Sequence, residues 1–169
     1  MPAVANLPLV NGEDAMLKLS RLTDYAAVVM AQIARHPDTP HAAADLADAV
    51  KLPVPTVKKT LKMLVRAGLL TSLRGALGGY QLARSASQIS AAEIISAIEG
   101  PVAMTECSQA EGDCELVDTC SVADNWQRVS LAIRTLLESV TLAHLADTAP
   151  LKLPVRLPIQ SISLSAATA

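Results

Sequence analysis

The chain has 169 residues, a formal net charge of −2 and 51% hydrophobic residues. That length fits one compact domain with an appendage, and the apolar content is ample for a core. No apolar run reaches the roughly 18 residues that cross a membrane, and residues 1–15 (MPAVANLPLVNGEDA) lack the basic start and apolar stretch of a secretory signal.

The chain is therefore expected to be cytoplasmic, without a membrane partner and with its thiols reduced. It has no Phe; Trp126, Tyr25 and Tyr80 are its only aromatics, so Ala, Leu and Val must fill the core, which suits packed helices. The small net charge conceals a division. Residues 16–85 carry ten Lys/Arg against four Asp/Glu, and residues 86–149 carry two against ten. A basic first half points to a polyanionic partner, although a basic surface can also be merely solvated.

Residues 1–15 show no periodicity and read as a flexible leader. Ser20 or Thr23 can cap a first helix running to about Arg35, with Ala26, Val29, Met30 and Ile33 on its inner face. The segment HPDTPH (36–41) breaks it with two prolines. A short helix over 42–50 follows, turning Leu46, Ala47 and Val50 inward. After LysLeuPro (51–53), a second short helix begins with Pro55 in its first turn, where the missing N–H costs nothing. It places Val57, Leu61, Leu64 and Val65 on one face and stops at Gly68. Two short helices across a tight turn form a helix-turn-helix. Residues Leu70–Arg74 and Tyr80–Ala83 then read as strands joined by GALGG, which supplies the positive-φ positions of a hairpin loop. The expected class is mainly α: a winged helix-turn-helix DNA-binding domain over 16–100.

Ser90 and Glu93 form a capping-box signature opening a helix to about Glu99, stopped by Gly100–Pro101. Residues 101–121 make a polar loop holding all three cysteines, Cys107, Cys114 and Cys120. Beyond it, Val122, Trp126, Val129, Ile133, Leu136, Val140 and Ala143 alternate spacings of four and three. That seam predicts a long dimerisation helix over 122–146; an ordinary amphipathic helix packing on its own domain is the alternative. The tail, 147–169, alternates apolar and polar residues with Pro154 and Pro158 at polar positions, which excludes a central strand and points to no function.

On the second helix of the helix-turn-helix, Lys58, Lys62 and Arg66 recur one turn apart, opposite the apolar face. Lys59 lies beside them, and Thr56 and Thr60 sit near the exposed amino-terminal half. This is the end of such a helix that reaches base edges in the major groove. Arg74, next to Gly75, stands at the tip of the wing. A Lys-rich outer face is also normal on a solvated helix; here it falls where a winged helix needs it.

The cysteine spacings, C-x6-C and C-x5-C, do not match the close pairs of structural zinc sites. Three cysteines among Glu106, Glu111, Asp113, Glu115 and Asp118 would repel one another as thiolates, so an empty loop should protonate and stay mobile. No His lies within the segment to activate a nucleophile, and the acidic surroundings work against one, so a thiol enzyme is not expected. Incidental thiols and zinc remain open readings at this point.

Taken together, LKLSRLTDYAAVVM (17–30), LPVPTVKKTLKMLVRAGLL (52–70), RGALGGYQLAR (74–84), ISAAEIISAIEG (89–100) and three cysteines ahead of a long helix resemble the IscR/NsrR-type winged-helix regulators. The opening of the first helix is most similar to regulators of the SUF iron–sulfur assembly operon. The resemblance covers about residues 16–146 and implies a homodimer that binds a double-stranded DNA operator. It also implies an iron–sulfur cluster on the three cysteines, 2Fe–2S in many members and 4Fe–4S as the alternative. By position it assigns DNA reading to Thr56, Lys58, Lys59, Arg74 and Gly75. Lys58 and Lys59 replace the acidic residue and Gln of IscR, so the operator is expected to differ. IscR-type members use a histidine three residues after the last cysteine; here that residue is Ala123. NsrR-like members use an acidic residue near the start of the first helix, which aligns with Asp24. An aspartate there also suits the helix dipole without any metal. Glu13, His36, His41 and His144 are weaker candidates. The implied function is a repressor of SUF-type iron–sulfur assembly genes. A nitric-oxide- or redox-responsive repressor with another regulon, or a winged-helix protein-interaction module, is the alternative.

Overall fold

The computed structural model describes residues 19–75, 78–108, 114 and 120–151, with only the backbone of Cys107. The proposed leader, 1–15, and most of the tail lie outside these residues. Helix α1 (Arg21–Arg35) starts at Ser20, whose side chain accepts from the Thr23 N–H, and buries Ala26, Val29, Met30 and Ile33. Helix α2 (Ala43–Ala49) buries Leu46 and Ala47. Helix α3 (Val54–Arg66) carries Pro55 in its first turn and buries Val57, Leu61 and Leu64, with Gly68 at φ +72° just beyond its end. The turn between α2 and α3 places Lys51 at φ +54°. No glycine marks that turn, so a β-carbon-bearing residue takes a left-handed conformation that costs about 1 kcal/mol.

Strands β1 (Leu70–Leu73) and β2 (Gly79–Leu82) pair antiparallel, Leu70 opposite Leu82 and Leu73 opposite Gly79. The hairpin is thus shifted by a residue at its tip from the sequence expectation: Arg74 lies in the turn, and Gly79 rather than Tyr80 begins the return. Gly75 has φ +112°, as a hairpin glycine should, whereas Gly78 and Gly79 are needed for close approach. A β-carbon on Gly79 would lie 2.6 Å from the His41 carbonyl oxygen. There His41 and Tyr80 exchange backbone hydrogen bonds of 2.9 Å in each direction, tying the wing to the start of α2.

Helix α4 (Ala91–Glu99) opens with the expected capping box, Ser90 with Glu93, and ends at Gly100, φ +90°. The helices α1 to α4 and β1 share one core, which Ile89 and Leu142 complete. The long helix differs from expectation. Helix α5 spans Ala123–Ser139 and is followed by a separate short helix, α6 (Leu142–Leu145). Val140 turns extended, its carbonyl accepts the Ala91 N–H at 2.7 Å, and Leu142 returns a 2.7 Å bond to the Ile89 carbonyl. Thr141 then caps α6, whose Leu142 and Ala143 enter the core. The apolar seam therefore ends at Val140, and Ala143 does not belong to it. A helical continuation would have pointed Leu142 away from the core it now fills.

Candidate DNA-reading face and cysteine loop

The outer face of α3 is built by what the inner face buries. With Val57, Leu61 and Leu64 fully buried, Lys58, Lys59, Lys62 and Arg66 point to solvent. None of the four forms an ion pair among the described residues. Thr56 is half-buried at the amino-terminal end of the helix. Thr60 departs from expectation: it is fully buried and donates to the Thr56 carbonyl at 3.0 Å. Its hydroxyl is thus spent inside the helix, and the residue faces the core. Arg74 and Gly75 are exposed at the end of β1, beside a loop whose Ala76 and Leu77 lie outside the described residues. The outer face of α3 thus carries exposed cations without ion-pair partners among the described residues, and the wing adds the exposed Arg74.

The seam residues Val122, Trp126, Val129 and Leu136 are 40–48% exposed, while Ile133 and Val140 are half-buried. Within its own chain α5 buries only Ala123 and Ser130. An exposed apolar stripe of this kind marks a surface available for interaction.

The cysteine loop leaves the carboxyl end of α4 and returns at the start of α5. Cys107 lies in a 3-10 turn, Glu106–Ser108, and Cys114 and Cys120 are half-buried free thiols. Among the described residues no group of three His, Cys, Asp or Glu side chains comes together to hold a metal. Asp24 is exposed in the first turn of α1, its N–H bonded to the Ser20 carbonyl at 3.1 Å. As a donor set, three thiols and an exposed carboxylate fit an iron–sulfur cluster with one non-thiolate ligand, since no described cysteine is consumed in a disulfide. Two of the candidate histidines, His41 and His144, are engaged elsewhere. His41 Nε2 is 2.8 Å from the His36 carbonyl, and His144 closes the capping box of α6. Glu13 lies outside the described residues.

Three residues escaped the sequence reading. Glu99 accepts hydrogen bonds from the Thr23 hydroxyl and from the Ser20 N–H, joining the end of α4 to the start of α1. These two donors, the Thr23 hydroxyl first, hold its carboxyl below the ordinary glutamate value. An acidic residue in the last turn of a helix opposes the dipole, and that was the available signal that it answers to something else. Ser130 and Arg134 bond the backbone at Met104 and Val102, and nothing in their spacing announces it.

No described helix is long and apolar enough to cross a membrane. The chain is 30% identical over 132 residues to the HTH-type transcriptional regulator IscR of Klebsiella pneumoniae, covering 78% of this chain and 80% of that one. Among solved structures it is similar to CymR, the global cysteine regulator of B. subtilis (TM-score 0.62, 30% identity, 79% of this chain and 99% of that one). It is also similar to T. potens IscR (TM-score 0.59, 31% identity, 79% and 90%). These are regulators and not enzymes. The family model described as Rrf2, iron-dependent transcriptional regulator, matches residues 19–148, which bears out the winged-helix reading: the chain belongs to the Rrf2 family of transcriptional regulators.

Proposed function

We propose that the protein is a cytoplasmic, homodimeric repressor of SUF-type iron–sulfur assembly genes that senses through a 2Fe–2S cluster. Cys107, Cys114 and Cys120 hold the cluster with Asp24 of the partner protomer. The observation that carries this reading is the placement of the three cysteines between α4 and α5, in an Rrf2 chain whose α4 is bonded to the α1 turn that carries Asp24. A carboxylate is the hardest and weakest of the four ligands, and so the natural one to release. The bound cluster would supply redox sensitivity and neutralise the thiolates. The chain supplies the rest: α5 pairs the protomers through Val122, Trp126, Val129, Ile133, Leu136 and Val140. Thr56, Lys58, Lys59, Lys62, Arg66, Arg74 and Gly75 meet the operator.

The test is the iron and sulfide content of anaerobically purified protein beside its visible spectrum, with operator binding measured before and after cluster removal. A coloured protein with matched iron and sulfide, losing colour in Asp24→Ala, supports the assignment. A colourless protein without iron after reconstitution sinks the sensing role. The likeness to CymR, named a cysteine regulator, favours a second reading in which the same fold controls a different regulon without a cluster. Operator binding that is unchanged by iron removal would select it.

A further inference from the structure

We infer that Ser130 and Arg134 are positioning residues that fix the leading arm of the cysteine loop on α5. The inference rests on the proposed role of that loop and adds residues outside the ligand set.

The arm, residues 101–104, has neither helix nor strand to satisfy its backbone. Irregular backbone that is half-buried must find partners elsewhere. The Met104 N–H donates to Ser130 Oγ at 3.0 Å, and Arg134 Nη2 donates to the Val102 carbonyl at 3.1 Å. Ser130 is only 3% exposed and Arg134 half-buried. The two lie one turn apart on α5, on the side that faces their own chain rather than along the apolar seam. Pro101 and Val102 line two open clefts, of about 420 and 410 Å³, and the two polar clamps hold the backbone beside them.

Three residues beyond Met104 stands Cys107, in the 3-10 turn that packs on α5. At the loop's other end, the Ala123 N–H bonds the Cys120 carbonyl at 3.3 Å, at the head of the same helix. Both stems of the loop thus take their register from α5, the helix whose outer stripe is the proposed dimer seam. Ser130 and Arg134 set the height of Cys107 along it. Partners that orient metal ligands without touching the metal typically change affinity by roughly 10–100-fold when removed.

The experiment compares the full-length parent with Ser130→Ala and Arg134→Gln, and with Ser130→Thr and Arg134→Lys, which keep a hydroxyl and a cation. In reduced, cluster-free protein, Ser130→Ala should speed hydrogen exchange at the Met104 amide and alkylation of Cys107, while Ser130→Thr restores both. Arg134→Gln should speed Cys107 alkylation, and Arg134→Lys restore it in part. Far-ultraviolet circular dichroism like the parent's establishes that the variants fold. In cluster-loaded protein, iron release to a chelator should quicken by roughly tenfold in Ser130→Ala and Arg134→Gln. Variants that fold and match the parent in amide exchange and Cys107 alkylation overturn the inference. A parent that never takes up iron overturns the cluster reading instead, and the exchange and alkylation results still decide the clamp.

Discussion

Glu99, in the last turn of α4, accepts hydrogen bonds from the Thr23 hydroxyl and, at 2.8 Å, from the Ser20 N–H, so one carboxylate caps α1 from outside its own sequence neighbourhood. Thr23 is 1% exposed and immediately precedes Asp24. Folding therefore lowers the pKa of Glu99. A carboxylate with a depressed folded pKa contributes stability that is present above its unfolded value and lost as the pH falls through the folded one. Replacing Glu99 by Gln should lower the thermal midpoint at neutral pH, and the gap to the parent should close in acid below the usual glutamate value of 4.5. The carboxylate is solvent-exposed, so screening keeps the effect modest. A gap that stays constant with pH would remove the ionised latch.

Lys62 extends from the outer face of α3 without an ion-pair partner among the described residues. Lysines so placed contact phosphates and carry little sequence information. Lys62→Ala should weaken binding to operator and unrelated DNA alike, and should reduce the slope of log affinity against log salt by about one. Fluorescence anisotropy across a salt series measures both. A loss confined to the operator would place Lys62 at a base edge.

Much of this molecule was legible before its coordinates because local chemistry and tertiary need agreed. Ser20, Gly68 and the Ser90–Glu93 box mark helix ends by their own hydrogen bonds or φ angles, and they are where the spacing put them. The break at Val140 was not legible. The residues on both sides continue a helical pattern, and it is the pair of 2.7 Å bonds with Ala91 and Ile89, with Leu142 buried in the core, that favours an extended Val140. Thr60 was misjudged for a related reason, since a hydroxyl satisfied by the carbonyl one turn back can be buried like an apolar residue. Glu99, Ser130 and Arg134 bond to residues 26 to 79 positions away, a range at which periodicity says nothing.

Trp126 stands 40% exposed in the middle of an apolar stripe and is the only tryptophan of the chain. If the stripe pairs two copies, burying that indole makes it an anchor of the interface, and such anchors contribute about 2 kcal/mol or more. Trp126→Ala should then weaken dimerisation by roughly 30-fold or more. Sedimentation velocity over a dilution series reads the change. In the parent, the emission maximum should move to longer wavelength as the protein is diluted into monomer. An emission maximum independent of concentration, with a monomeric sedimentation coefficient throughout, would leave α5 without its second copy.

His144 closes the capping box of α6: its N–H donates to Thr141 Oγ1 at 3.4 Å, and its Nδ1 accepts the Thr141 N–H at 3.0 Å. That box turns Leu142, which is 0% exposed, into the core beside Ile89. The imidazole stands where a glutamate or glutamine usually does, offering an acceptor to the same N–H. His144→Ala should therefore cost about 1 kcal/mol of stability, and His144→Glu should recover most of it. Thermal unfolding of the three proteins at neutral pH measures the difference. Because Nδ1 accepts the cap's hydrogen bond, the neutral ring carries its proton on Nε2 and offers iron no free lone pair, so the alanine variant should bind iron as the parent does. A variant that unfolds like the parent but loses iron would return His144 to the list of ligands, and a glutamate variant no more stable than alanine would show that the cap contributes nothing.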